Sequence, residues 1–281
     1  MKNLRGTNAI LTGASRGIGP YIARTLAAQG VNVALAARSA DKLEDTRRAC
    51  EALGVNAIAV ATDVTSMDDL RALVAAAERE FGAVDILVNN AGIETTGALE
   101  DLTYDEIDRL LTTNLHAPIW LSKMVLPGML TRKRGAIVHV SSMAGKSGAP
   151  YNSTYSASKY GLNGFCESVN FELDGSGVHM GVVCPGFVSE AGMWKDRGGT
   201  APKMMREVSP LKVAAGVLKA ILGAQEVLVM PMPIRPLLAL GQLAPGLSRA
   251  IVKRMGVAKA MKETSSPAKP EHETADTASR D

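Results

Sequence analysis

The chain is poor in the residues that build metal clusters. It has three cysteines, Cys50, Cys166 and Cys184, in 281 residues, with no metal-ligand spacing among them. They read as buried reduced thiols of a cytoplasmic protein. Histidine is also scarce: His116, His179 and His272 are scattered, and no His-Cys-acid cluster suggests a metal. His139 lies within an apolar run and reads as a satisfied buried histidine, not a catalytic one. Net charge is only +3, which argues against a dedicated nucleic-acid binder. No run is long and apolar enough to span a bilayer. The opening "MKNLRGTNAILTG" lacks the apolar stretch of a signal peptide.

What is present is hydrophobic residues, at 46%, and 27 glycines. That balance fits one large α/β domain with many tight turns. Short apolar runs alternate with helical patterns. Strands are expected over Thr7–Thr12, Val31–Ala37, Asn56–Thr62, from Val84, over "GAIVHVSS" ending at Ser142, over Val178–Cys184 and at "EVLVM". Between them helices are expected over about Asp41–Leu53, Met67–Phe81, Tyr104–Leu130 and Lys212–Leu222, with others after Gly19 and around "YSASK". Strands that are apolar throughout are buried on both faces. The series therefore predicts a Rossmann-type, doubly wound parallel sheet with helices on both sides, as a single domain over residues 1–230.

Ligands of such sheets bind beyond the carboxyl ends of the strands. After the first strand comes Thr12-Gly13-Ala14-Ser15-Arg16-Gly17-Ile18-Gly19. Glycines there allow a tight turn and close backbone approach to a phosphate, and the next helix aims its free N–H groups at it. Tyr155 and Lys159 stand four residues apart, on one face of a helix. A phenol beside an ammonium has its charged form favoured, which makes a proton donor usable near neutral pH.

The G-x-x-x-G-x-G spacing, Asn89-Asn90-Ala91-Gly92, Ser142 and Tyr155-x-x-x-Lys159 together resemble the short-chain dehydrogenase/reductases in their compact form. The likeness runs from about residue 5 to about residue 230. It implies Tyr155 as the general acid in carbonyl reduction, with Lys159 lowering its pKa and holding the nicotinamide ribose. It implies Ser142 as the donor to the carbonyl oxygen, and Asn114 as support for a water relay to the lysine. Gly13, Ser15, Arg16, Gly17, Ile18 and Gly19 would hold the pyrophosphate. Asp63 and Val64 would meet the adenine, and Asn90, Ala91 and Gly92 the adenosine ribose. Pro185, Gly186, Val188 and Ser189 would hold the carboxamide. The family's acidic residue after the second strand is missing; Arg38 stands there instead, with Arg16 nearby. Two arginines and no acid favour NADP(H) over NAD(H).

Specificity residues are expected at Ile93, Met143, Phe187, Met193 and Trp194, with Met204 and Met205 in a lid after Ser189. They imply a hydrophobic ketone, aldehyde or secondary alcohol, lipid-, steroid- or retinoid-like. Residues 231–263 form an apolar, basic helical extension that docks on the protein, on a partner or on an anionic membrane surface. Residues 264–281 read as a disordered tail. The resemblance also implies a homodimer or homotetramer. The alternative to an enzyme is a non-catalytic NADP(H) sensor or a membrane-surface scaffold on the same fold. A sensor would be expected to lack Tyr155 or Lys159, and both are present.

Overall fold

The computed structural model describes residues 3–196, 206–231, 233–254 and 261–262. Seven strands form: β1 (Asn8–Thr12), β2 (Asn32–Ala37), β3 (Ala57–Ala61), β4 (Ile86–Asn89), β5 (Gly135–Val140), β6 (Val178–Pro185) and β7 (Glu226–Val229). All pairings are parallel, in the order β3-β2-β1-β4-β5-β6-β7. Parallel neighbours need crossovers, and helices supply them. These are α1 (Gly19–Ala27), α2 (Ala40–Glu51), α3 (Met67–Phe81), α4 (Tyr104–Leu111), α5 (Ala117–Thr131), α6 (Ser153–Glu172), a short α7 (Met193–Asp196) and α8 (Pro210–Ile221).

Alternation along each strand divides the core into two layers. Ala9 and Leu11 of β1 face the layer under α1, α2 and α8, while Ile10 faces the layer under α3, α5 and α6. Ile10 pairs in register with Ala34 on one side and Leu87 on the other. All three are fully buried, which is why the central strands read as unbroken apolar runs. The sheet order reverses between β1 and β4, and that is where a crevice opens.

The single long helix expected over Tyr104–Leu130 is one continuous run with a wide turn inside it. Residues Thr112–His116 are π-helical between α4 and α5. The cause is legible: Pro118 has no N–H for the carbonyl of Asn114, four residues earlier. Such bulges concentrate at functional sites, and Asn114 lies inside this one, fully buried.

Beyond β7 the extension forms two further helices, α9 (Arg235–Leu243) and α10 (Pro245–Arg254). Pro236 and Pro245 lie in their first turns, where a missing N–H is tolerated. No helix among the described residues is long and apolar enough to cross a membrane. Met204 and Met205 of the expected lid, Met255 and Lys259 of the extension, and the 264–281 tail lie outside the described residues.

Candidate active site

The crevice is built by stitching two distant loops together. Thr12 Oγ1 at the end of β1 accepts from the N–H groups of Asn90 and Ala91, each at 3.0 Å, beyond β4. Asn90 answers with its amide, donating to the carbonyls of Thr12 and Gly13 at 2.9 and 3.0 Å. The loops approach so closely that a Cβ on Gly13 would lie 2.8 Å from Ala91 Cα. Gly13 also has φ +66° and Gly17 φ +62°, backbone that other residues adopt only with strain. A Cβ on Gly19 would collide with the Gly13 carbonyl. No side chain caps α1. The result is a glycine cradle ahead of an uncapped helix N-terminus, which suits a pyrophosphate.

Ser142, Tyr155 and Lys159 come together on the other side of this crevice. They line one cavity of about 470 Å3 with Gly13, Arg16, Gly17, Ile18 and the Asn90–Gly92 segment. Lys159 is buried, and its Nζ donates to the Val140 carbonyl at 2.9 Å while lying 5.6 Å from the centre of the Tyr155 ring. Burial depresses the Lys159 pKa to about 8. Ser142 Oγ accepts from the Ala144 N–H at 3.1 Å, which leaves its own proton to donate.

Asn114 does not reach the cavity. Its Oδ1 accepts from Ile93 N–H and its Nδ2 donates to the Ile93 carbonyl, both at 2.8 Å, with a longer bond to Ser158 Oγ at 3.4 Å. It clamps the chain after β4 to α6. The same geometry corrects the place of Ile93. Its backbone serves Asn114, and the residue lines a smaller neighbouring pocket with Arg109 and Glu106 instead of the main cavity.

Pro185, Gly186, Phe187 and Val188 line the cavity. Ser189 donates from both N–H and Oγ to the Val208 carbonyl, at 3.0 and 3.3 Å, and Val188 pairs with Val208 as an isolated bridge. Met143 and Met193 line the cavity; the side chain of Trp194 lies outside the described residues. Arg16 also lines the cavity and pairs with Asp196 of α7 at 3.5 Å, so the lid is tied across to the glycine loop.

Arg38 is exposed just beyond β2, is not among the residues lining that cavity, and lies within electrostatic reach of Asp63. The Asp63 carboxylate accepts from Thr65 N–H and Oγ1, and its pKa is lowered chiefly by the backbone bond, with Arg38 adding to it. Val64 packs against the core layer under α3.

His139 requires a correction. It is fully buried, as expected, but only half satisfied: Nδ1 meets Asn89 Nδ2 at 3.3 Å, and Nε2 has no hydrogen-bond partner. Burial, helped by the charge of Lys159, pushes its pKa down to about 3. It is a neutral strut behind the lysine, 5.9 Å from the Phe165 ring centre.

Several cavity residues escaped the sequence reading. Glu94 and Asn152 meet side chain to side chain on one wall. Met230, just past β7, and Ile234, Leu237 and Leu238 of the extension line the same cavity, while Gly145, outside its lining, packs on α6. No spacing rule links these positions, because each contact crosses between separate elements. Among the described residues no group of His, Cys, Asp and Glu could hold a metal.

Comparison with known proteins agrees with this geometry. The family model for short chain dehydrogenases matches residues 7–201. The ketoacyl reductase HetN of Nostoc sp. is 42% identical over 263 residues, 92% of each chain. A polyketide ketoreductase of the actinorhodin system, solved with NADPH, superposes with a TM-score of 0.73 at 33% identity, covering 82% of this chain and 97% of its own. A xylitol dehydrogenase solved with NAD+ gives 0.76 at 25% identity, covering 82% of this chain and all of its own. The same fold is thus found in proteins solved with NADPH or with NAD+. The chain belongs to the short chain dehydrogenase family of NAD(P)-dependent oxidoreductases.

Proposed function

We propose that the protein reduces the keto group of an apolar ketoacyl substrate with NADPH. The observation that carries this is the joint presence of Ser142, Tyr155 and Lys159 in the lining of a largely apolar cavity that also includes the glycine loop. The ketoacyl reductase relative, similar over almost the whole chain, supports the substrate class.

The glycine cradle, Lys159 and the Pro185–Ser189 segment fit a nicotinamide dinucleotide, which when bound supplies a hydride to the carbonyl carbon. Charge then develops on the carbonyl oxygen, and donors already in place stabilise it. Ser142 gives that oxygen a hydrogen bond, and Tyr155 delivers the proton that completes the alcohol. Lys159 stabilises the tyrosinate left behind and holds the ribose. Its ammonium has few competing partners, because burial leaves the Val140 carbonyl as a neutral acceptor. Asn114 sets the backbone beyond β4, in support of a water relay to Lys159.

Preference for NADPH rests on Arg38, exposed beyond β2 where a carboxylate would serve NAD(H). The sensing alternative is disfavoured by the assembled Ser-Tyr-Lys cluster, whose parts a passive binder has no need to keep.

The direct experiment is oxidation of NADPH and NADH by the purified protein with ketoacyl thioesters and simple ketones, with Tyr155→Phe alongside. Turnover with NADPH that falls by about a thousandfold or more in the variant is expected. Tight NADPH binding with no turnover of any keto substrate would return weight to the sensor.

A further inference from the structure

The reacting groups and part of the C-terminal extension line the same cavity. α9 lies beyond the segment matched by the family model, which ends at residue 201. Ile234, Leu237, Leu238 and Gly241 recur at three- and four-residue spacing, so they share one helix face, and all four line the cavity. Met230, just past β7, and buried Met261 join the same wall.

Two observations distinguish this wall from ordinary packing. Within α9 no residue is fully buried, and Leu237 and Leu238 stay partly exposed although they line the cavity; Ile234, just ahead of the helix, is buried. A helix seated on the core would cover such a face; here it borders a hollow. The cavity is also asymmetric. Asn152 is almost wholly buried, and among the described residues its Oδ1 has no hydrogen-bond partner, so the lining from Glu94 and Asn152 is polar while that from α9 is mostly aliphatic, with Gln242 its polar member.

The start of α9 is pinned. Glu226 of β7 takes the Lys146 ammonium in an ion pair, and Arg235 at the start of α9 reaches the other oxygen of the same carboxylate at 3.9 Å. Lys146 itself lines the cavity. The wall is therefore fixed relative to the sheet instead of hanging from a tether.

We propose that α9 is a chain-length gauge. The keto group sits at Ser142 and Tyr155, the apolar tail of the substrate runs along Ile234, Leu237 and Leu238, and the depth to that wall sets which acyl lengths are accepted. This deepens the ketoreduction reading and rests on it for the identity of the reacting group. Apolar burial gives about fourfold in affinity per methylene, so catalytic efficiency should climb with tail length until the wall is reached.

The test compares acetoacetyl and β-ketodecanoyl thioesters of N-acetylcysteamine as substrates of the full-length protein with NADPH. Wild type should favour the longer chain. Leu238→Trp should cut kcat/KM for the long chain by about tenfold or more and leave the short one within about twofold. Leu238→Ala should move the preference to longer tails. Equal losses for both lengths, or no change for either, would overturn the gauge. If wild type binds NADPH but reduces neither substrate, the ketoreduction reading fails on its own. The gauge is then read with butanol and decanol, followed through the fluorescence of bound NADPH. Tighter binding of decanol, lost in Leu238→Trp, upholds it; equal affinities for the two alcohols refute it.

Discussion

Gly145 lies directly on the backbone of Lys159. A Cβ at Gly145 would come within 2.8 Å of both the carbonyl carbon and the carbonyl oxygen of Lys159, and equally near Asn163 Nδ2, which donates to the Gly145 carbonyl at 2.8 Å. The turn after β5, which carries Ser142, therefore rests on the helix that carries Tyr155 and Lys159. The missing side chain sets the spacing between the two halves of the proton-transfer unit. Gly145→Ala should push them apart. We expect kcat to fall by about a hundredfold, the cost typical of a misplacement near one ångström, with NADPH affinity changed far less. Parallel kinetic and binding titrations check this.

Gly19 faces the Gly13 carbonyl with no room for a methyl group. Gly19→Ala should lower stability by about 1–3 kcal/mol and weaken NADPH binding together, because the obstruction lies within the cradle. Thermal melts with and without NADPH read both effects. An unchanged ligand-induced rise in Tm would contradict the cradle assignment.

Arg38 should carry much of the discrimination between the two dinucleotides. Arg38→Ala removes a charge-assisted contact of the kind a 2′-phosphate makes, so KM for NADPH should rise by about ten- to a hundredfold while KM for NADH stays within about threefold. Equal changes for both cofactors would shift the role to Arg16, which already has Asp196 as a partner.

Lys159 titrates near 8 because it is buried. Above that pH it loses its charge, so NADPH-dependent kcat/KM should fall on the alkaline side with a midpoint near 8. Lys159→Arg keeps its charge and should flatten that limb, although its basal rate will be lower. The linked stability has a definite sign. The folded pKa is depressed, so the penalty for burying the ammonium is full below pH 8 and is relieved as pH rises toward the ordinary 10.5.

His139 gives the opposite end of the pH scale. Held neutral down to about pH 3, it takes up a proton only on unfolding, as pH falls below the ordinary 6.5. Its contribution is present above that value and is lost on acidification, at up to about 1.4 kcal/mol per pH unit. His139→Asn should melt with a shallower dependence of Tm on pH between about 6 and about 4 than wild type. Identical slopes would mean another group governs acid unfolding.

Much of the architecture was readable from the chain. β-branched runs buried on both faces left little choice but a parallel sheet, and strand ends were located within about two residues because flanking glycines and polar residues punctuate them. Tyr155 and Lys159 were legible because helical spacing alone puts them side by side. Other features depend on contacts between segments distant in sequence. Gly145 is one of many glycines until Lys159 is seen beneath it. Asn152 and Glu94 lie 58 residues apart. Ile93 follows the glycine of a recognisable motif, yet its backbone is committed to Asn114, and that turns it out of the main cavity. His139 could be read as buried, but not as half unpaired, since pairing depends on what the adjacent strand and helix supply. The inward face of α9 was visible only as an amphipathic tail with several places to dock.

The Thr12–Asn90 stitch spans 78 residues of chain. Closing a loop of that length is entropically slow, and its reward arrives only once β1 and β4 lie side by side. The cradle is therefore an assembled property of the finished sheet, and a half-folded chain has local helices but nowhere to seat a dinucleotide. Appearance of NADPH binding during refolding should lag the recovery of helical signal. The cofactor would then act as a brake on unfolding more than as a guide to folding, holding shut the seam that closes last.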